Sequence, residues 1–263
     1  FNSLSENQIE SEKKHLLDYI SVCLSNLKKN LNSPIIITDF PEPIHPSLGL
    51  FDNSITKGQS HLVQDLNVKL RKIISSEKSV YVFPLNKLAS KIGHDSFFDY
   101  KQWNLSKLPF SKDGLCEIAK VIPTFINGLK GKTKKCLVLD CDNVLWGGVL
   151  GEDGEDGIKI GKNHPGSAYL KFQQEIINLY HRGIIITLCS KNNEQEVINT
   201  INSHPDILLR EKYISAYRIN WDPKDKNIVG LSKDLNIGLE SMVFIDDNKF
   251  EIELIKKSLP MVD

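Results

Sequence analysis

The segment "KKCLVLDCDNVLWGGVLGEDG", residues 134–154, joins an apolar run to two aspartates that stand one residue apart. Its apolar part predicts a buried strand over residues 135–140, so Asp140 and Asp142 fall at the carboxyl end of that strand. Burying a carboxylate without a partner is costly. Two interpretations therefore stay open from this segment alone. Either the aspartates cap a turn, or they are held together for catalysis.

The chain beyond residue 131 alternates short apolar runs with amphipathic helices. We predict a loop and hairpin over 143–163, strands at 135–140, 184–190, 213–219 and 242–246, and helices at 166–182, 193–202, 226–235 and at the end of the chain. Such alternation is typical of a parallel sheet that helices cover on both faces. Active sites in these sheets lie at the carboxyl ends of the strands.

The first 131 residues predict a smaller α/β domain that ends at the polar, glycine-spaced segment 128–135. Helices are expected near residues 5–30, 60–76 and 113–129, and strands near 34–40 and 79–84. The domains are therefore predicted as 1–131 and 132–263. A scaffolding or site-covering role is predicted for the first of them.

Composition narrows the classes of function. The 263 residues contain 33 Lys and Arg and 33 Asp and Glu, a balance that argues against binding to nucleic acid or to an acidic membrane. No apolar stretch is long enough for a membrane span. The five cysteines are odd in number and lack C-x-x-C spacing, which favours a reduced, cytoplasmic protein. The chain begins with Phe rather than Met, so we expect a piece of a longer protein, with a possible fused C-terminal domain.

Polar residues follow the predicted strands at one edge of the sheet. These are Asp140 and Asp142, Ser190 to Asn193, Lys224, and Asp246 with Asp247. Carboxylates crowded into one pocket repel by about 4 kcal/mol per close pair at an effective dielectric constant of about 20, and one lysine cannot offset four of them. Oxygen ligands with open positions suit Mg²⁺, which also holds substrate phosphates. The pattern predicts metal-assisted phosphoryl transfer.

The same residues carry a family resemblance. The segment "LVLDCDNVLWGG" resembles motif I (D-x-D-x-[TV]) of the haloacid dehalogenase superfamily, with Val144 at its last position. Ser190 in "LCSKNN", Lys224 in "NWDPK" and the acidic pair in "FIDDN" resemble motifs II, III and IV, in the same order. Together they resemble the FkbH-like branch. The resemblance implies a capless Rossmann-like core, preceded by a partial SGNH-hydrolase-like region.

The resemblance also implies a role for each motif residue. Asp140 would be the nucleophile and a Mg²⁺ ligand, and Asp142 would be the general acid/base with its backbone carbonyl on the metal. Ser190 would bind the phosphoryl group, and Lys224 would pair with Asp140 and the phosphate. Asp246 and Asp247 would complete the metal site, and the resemblance leaves open which of the two is the direct ligand.

Six further residues have two interpretations each. Some can shape the tight turn or line the substrate site, namely Asn143, Trp146, Gly147 and Gly148. Lys191 and Asn192 can begin a helix or contact the substrate. Cys141 lies between the two aspartates and is predicted to face the core, with thioester formation as a remote alternative. "FDNS", residues 51–54, is the nearest string to an SGNH nucleophile block and lacks its context, so esterase activity is not expected.

The intervals between the motifs leave no room for a cap domain, which predicts an open site. The substrate would be a phosphorylated small molecule or a group bound to a carrier protein. The leading hypothesis is a Mg²⁺-dependent phosphatase, a hydrolase with a phospho-aspartate intermediate. The first alternative is an FkbH-like glyceryl transferase that loads a three-carbon acyl phosphate onto an acyl carrier protein. The second is a non-catalytic module that positions a fused transferase domain.

Overall fold

A computed structural model describes residues 5–263. The chain divides into two compact units, with the boundary between Gly131 and Lys132. The N-terminal unit contains a two-stranded parallel sheet of β1 (Ile35–Thr38) and β2 (Val80–Phe83). Its helices are α1 (Glu6–Asn30), α2 (Gln59–Ser75), α3 (Leu85–Ile92), α4 (His94–Phe97), α5 (Tyr100–Ser106) and α6 (Lys112–Leu129). A 3₁₀ helix spans Gly49–Ser54.

The predicted long helices and both strands of the N-terminal unit are confirmed within one or two residues at most ends. Helix α1 begins with a capping box in which Ser5 and Gln8 bond to each other's backbone N–H groups. The three helices between β2 and α6 were not predicted, because helices of four to eight residues have too few turns to show a period.

The "FDNS" segment has a structural role in this unit. Asp52 is fully buried, and its two carboxylate oxygens accept hydrogen bonds from the backbone N–H groups of Gln59 (2.8 Å) and Ser60 (2.9 Å) at the start of α2. These bonds satisfy two of the N–H groups that a helix leaves unpaired at its first turn. Asp52 therefore caps α2.

The C-terminal unit, residues 132–263, contains a four-stranded parallel sheet in the order β5-β4-β3-β6. The strands are β3 (Cys136–Leu139), β4 (Ile185–Ser190), β5 (Ala216–Ile219) and β6 (Met242–Ile245). The helices are α7 (Leu150–Asp153), α8 (Gly166–His181), α9 (Glu194–Ser203), α10 (Lys224–Leu235) and α11 (Lys249–Ser258), with 3₁₀ turns at Glu211–Tyr213 and Leu239–Ser241. All four predicted strands of this unit are confirmed.

Helices cover both faces of this sheet. Leu137 and Leu139 of β3 belong to an apolar cluster that includes residues of α8 and α9. The alternate residues Cys136 and Val138 belong to a second cluster with residues of α10 and α11. Because successive side chains of a strand point to opposite faces, an apolar β3 supplies both clusters.

The predicted hairpin over 143–163 is wrong. The segment is a loop that contains the one-turn helix α7 and a single antiparallel bridge between Gly147 and Lys159. Asp153 lies in the exposed acidic run 151–157, and its Oδ2 accepts a hydrogen bond from the backbone N–H of Val149 at 2.9 Å. The carboxylate thereby holds one helical turn where paired strands were expected.

The loop, α7 and α8 fill the interval between Asp142 and Ser190, so within residues 132–263 the sheet carries no inserted cap domain. In the described part of the chain, residues 5–263, none of the helices combines the length and the apolar character that a membrane span needs.

Core packing in the C-terminal unit yields a stability prediction. Leu188 of β4 is fully buried, whereas Leu208 is 38% exposed. We expect Leu188→Ala to lower the free energy of unfolding by about 2–5 kcal/mol, because it leaves a cavity beneath the sheet. Urea unfolding followed by circular dichroism measures the change. Leu208→Ala is the matched control, and an equal loss in both variants would contradict the packing described here.

Candidate active site

The register of the sheet brings the predicted site residues to one edge. Leu139 of β3 pairs with Ile245 of β6, so the next residues, Asp140 and Asp246, leave the sheet side by side. The backbone N–H of Asp140 donates to the Ile245 carbonyl at 3.0 Å, which extends this pairing by one step. On the other side of β3, Ser190 ends β4.

Lys224 lies at the first residue of α10 and joins two of these carboxylates. Its Nζ is 3.0 Å from Asp140 Oδ1 and donates a hydrogen bond to Asp246 Oδ2 at 2.5 Å. All three residues are buried. Burial alone would lower the pKa of Lys224, but the attraction of Asp140 and Asp246 outweighs it and raises that pKa above its ordinary value. The ammonium group therefore stays charged in the site.

Asp140 remains incompletely satisfied by this lysine. The Lys224 contact to its Oδ1 is an ion pair without good hydrogen-bond geometry, and this buried atom has no hydrogen-bond partner among the described residues. Burial raises the pKa of Asp140 above its usual range, although Lys224 and the Ser190 hydroxyl both act to lower it. The Asp140 carboxylate therefore has too little positive charge around it, and a bound cation would supply that charge.

Three carboxylates are arranged to hold such a cation. Asp140, Asp246 and Asp247 each place one oxygen within 4.8 Å of the others, the first two buried and the third exposed. Oxygen donors alone, with room for water and phosphate oxygens, fit Mg²⁺. The Asp142 carboxylate is not part of this cluster. A metal contact through its backbone carbonyl stays a prediction.

The Asp142 side chain is held by three hydrogen bonds. Its Oδ1 accepts from Trp146 Nε1 at 2.9 Å and from the Leu150 backbone N–H at 3.0 Å, and its Oδ2 accepts from Asn192 Nδ2 at 3.0 Å. Donors on both oxygens fix the orientation of the carboxylate. Asp142 is therefore positioned by the loop that follows it and by the segment after β4.

Trp146 does not line the substrate site as a side chain. It is fully buried within the apolar cluster of the sheet, and its indole N–H faces Asp142. The interpretation of Trp146 as a substrate contact gives way to one in which it orients Asp142. Sequence reasoning could not distinguish the two, because an aromatic residue beside two glycines suits either role.

The neighbours of Trp146 shape the turn. Asn143 has a positive φ of 54°, and its Oδ1 accepts a hydrogen bond from the Gly148 N–H at 2.9 Å. A Cβ at Gly147 would lie 2.9 Å from the Tyr169 ring, and Gly148 has a φ of 102°, so larger residues are disfavoured at both positions. The geometry of Gly147 and Gly148 therefore fits the interpretation that they shape the tight turn. Substrate contact by the exposed Asn143 stays a prediction.

The segment after β4 is engaged by partners in the protein. Lys191 Nζ donates to Glu251 Oε1 at 2.7 Å, and Asn192 donates to Asp142. Sequence reasoning missed Glu251, because nothing in the pattern of α11 marks one of its glutamates as buried. Direct substrate contacts by Lys191 and Asn192 stay predictions.

The cysteines nearest the site are unsuited to nucleophilic chemistry. Cys141 and Cys189 are fully buried. Burial raises the pKa of the Cys141 thiol well above its ordinary value and that of Cys189 to about 12. Because the thiolate is the reactive form, neither residue is poised to form a thioester near neutral pH.

The acidic cluster predicts stabilisation by metal. At a Mg²⁺ concentration ten times the dissociation constant, binding adds about 1.4 kcal/mol, which raises the melting temperature of the C-terminal unit by about 5 °C. Differential scanning calorimetry with and without Mg²⁺ measures this shift. We expect Asp247→Asn to reduce the shift and the exposed-loop control Asp156→Asn to retain it. A wild-type melting temperature that does not respond to Mg²⁺ would contradict the assignment.

Comparison with known families agrees with this geometry. Residues 135–262 match the family described as NLI interacting factor-like phosphatase. Residues 2–127 match the family described as FkbH, N-terminal domain. No curated protein matches the chain.

One solved structure resembles nearly the whole chain. It is the N-terminal part of a Bacteroides fragilis protein that contains a phosphatase domain, crystallised with Mg, and it is 29% identical with a TM-score of 0.83. The match covers 99% of this chain and 69% of that one.

Two weaker matches cover about half of the chain. A haloacid dehalogenase family enzyme from Bacteroides thetaiotaomicron, in complex with magnesium and inorganic phosphate, is 14% identical over 48% of this chain and 90% of its own, with a TM-score of 0.34. The 3-deoxy-D-manno-octulosonate 8-phosphate phosphatase from Moraxella catarrhalis is 20% identical over 50% of this chain and 69% of its own, with a TM-score of 0.31. At these scores neither adds to the argument.

The phosphatase family match covers the unit that contains the four-stranded sheet and the motif residues at its edge. Residues 135–262 are therefore a phosphatase domain of the haloacid dehalogenase type, and they follow an FkbH-type N-terminal domain in residues 2–127.

Proposed function

We propose that the C-terminal unit is a Mg²⁺-dependent phosphatase that hydrolyses a phosphate ester or an acyl phosphate through a phospho-Asp140 intermediate. The observation that carries this proposal is the placement of Asp140, which pairs with the Lys224 ammonium group and shares one acidic cluster with Asp246 and Asp247. A nucleophilic carboxylate, a fixed cation and a metal-binding cluster at one sheet edge are what phosphoryl transfer requires.

In the first step, an Asp140 oxygen forms a bond to phosphorus while the bond from phosphorus to the leaving oxygen breaks. Asp142 gives a proton to a leaving alkoxide; a leaving carboxylate needs none. In the second step, the Asp142 carboxylate takes a proton from the water that attacks phosphorus, the bond from phosphorus to the Asp140 oxygen breaks, and inorganic phosphate leaves. Lys224 and the Ser190 hydroxyl offset the charge that develops on the phosphoryl oxygens.

Mg²⁺, when bound by the three carboxylates, would supply positive charge to Asp140 and to the phosphoryl oxygens. Two observations support its assignment to this chain. The first is the buried Asp140 oxygen that lacks a hydrogen-bond partner among the described residues. The second is the similarity to a phosphatase domain that was crystallised with Mg.

The phosphatase hypothesis predicts the effect of one isosteric substitution. Asp140→Asn removes the nucleophile, so we expect phosphate release from an aryl phosphate in Mg²⁺ to fall by at least about 10³-fold. The measurement is steady-state phosphate release by the purified chain, with and without chelator. Asp156→Asn, in the exposed acidic loop, is the matched control and should retain wild-type rates. Undiminished turnover in Asp140→Asn would exclude the phospho-Asp140 mechanism.

A second candidate is transfer to a carrier protein. The match of residues 2–127 to the FkbH N-terminal domain favours this reading, because the family resemblance implies a glyceryl transferase for some members. The substrate would then be a three-carbon acyl phosphate, and the acyl group would pass to an acyl carrier protein. The uncapped sheet edge can admit such a macromolecular acceptor. The predicted role of residues 1–131 as scaffold or cover is compatible with either candidate.

Intact-protein mass spectrometry distinguishes the candidates. If the chain is a transferase, a carrier protein gains the mass of a glyceryl group only when the chain and the acyl phosphate are both present. If the chain is a phosphatase, phosphate is released and the mass of the carrier is unchanged. If the folded chain neither releases phosphate nor adds mass to the carrier protein, the result would favour the non-catalytic module.

A further inference from the structure

Glu251, in the first turn of α11, is a buried carboxylate with one partner. The residue is only 4% exposed. Its Oε1 accepts a hydrogen bond from Lys191 Nζ at 2.7 Å, and its buried Oε2 has no hydrogen-bond partner among the described residues. Lys191 is thus the group that compensates the charge of this carboxylate.

Such a pair constrains both of its members. A buried carboxylate that loses its cation carries a large desolvation cost, so Glu251 strongly favours the conformation in which Lys191 stays in place. Lys191 is 37% exposed in its side chain and would otherwise be free to extend into solvent. The pair differs from the exposed pair of Glu253 and Lys256 on the same helix, which water solvates.

Lys191 is the middle residue of segment 190–192, whose two outer residues lie near two carboxylates of the site. The residue before it, Ser190, ends β4, and its hydroxyl acts to lower the pKa of Asp140. The residue after it, Asn192, donates to Asp142 Oδ2 at 3.0 Å. Holding the middle residue limits the conformations open to its two neighbours, because the backbone has only two soft torsions per residue.

We propose that Glu251 is a positioning residue of the active site: through Lys191 it holds segment 190–192 so that Ser190 and Asn192 face Asp140 and Asp142. Glu251 also links this segment to the helix that follows the Asp246 and Asp247 pair. The catalytic roles of Asp140 and Asp142 rest on the proposed function, whereas the anchoring of segment 190–192 rests on the contacts alone.

Kinetics of single and double variants test the positioning role. Glu251→Gln keeps the shape and removes the charge, and we expect kcat for aryl phosphate hydrolysis to fall by about tenfold with KM within about twofold of the wild-type value. Lys191→Met should lower kcat to the same extent. Because both changes break one contact, the double variant should be no slower than either single variant. Glu253→Gln is the matched control and should be unaffected.

Three outcomes of these kinetics would overturn the proposal. One is a kcat of Glu251→Gln equal to that of Glu253→Gln. Another is a double variant whose losses multiply to about 100-fold, which indicates independent roles. The third is Lys191→Met with a raised KM and an unchanged kcat, which indicates that Lys191 binds substrate directly. If Glu251→Gln does not fold, Lys191→Met tests the proposal instead, because the Lys191 side chain is partly exposed. Lys191→Arg keeps the positive charge and should have the wild-type kcat.

Amide hydrogen exchange separates this proposal from the proposed function. Loss of the anchor should speed exchange at residues 190–193 by about tenfold in Glu251→Gln, and not in Glu253→Gln, as measured by mass spectrometry. A wild-type chain without phosphatase activity would contradict the proposed function and leave this readout intact. Unchanged exchange in Glu251→Gln would contradict the anchoring role, whatever the activity.

Discussion

The ammonium group of Lys224 between two buried carboxylates is the interaction on which the site depends. Two carboxylates at about 4 Å repel by about 4 kcal/mol at an effective dielectric constant of about 20. Lys224 offsets that repulsion for Asp140 and Asp246, which lie at the ends of adjacent strands. Because it begins the helix after β5, one charged group connects three separate segments of the chain.

The hydrophobic core beneath the sheet edge also aligns the polar groups above it. Trp146 packs in the same apolar cluster as Leu139 and Leu188, and its indole N–H reaches Asp142. A tightly packed core side chain has little rotational freedom, so its one polar atom is a well-fixed donor. Core packing and the orientation of the predicted general acid/base are therefore coupled in this loop.

Sequence patterns predicted most of the fold and the principal site residues, for a physical reason. The strands of the C-terminal unit are short apolar runs buried on both faces, and each polar residue that follows one is conspicuous. The same reasoning failed where the pattern is short or where contacts are remote. Helices α3 to α5 are too short to show a period, the one-turn helix α7 lies where a hairpin was expected, and the contact between Lys191 and Glu251 spans 60 residues.

The amino-acid sequence alone is enough to indicate a parallel sheet and the order of the residues at its edge, because hydrophobic periodicity and strand ends are local properties. It also suffices to nominate Asp140, Asp142, Ser190 and Lys224. Three-dimensional packing decides which partners these residues have. That Asn192 donates to Asp142 across 50 positions, and that Glu251 holds Lys191 from 60 positions away, depends on how the elements pack together. Residues that are distant in sequence acquire such partners only when the sheet and its helices form, and no local pattern encodes them.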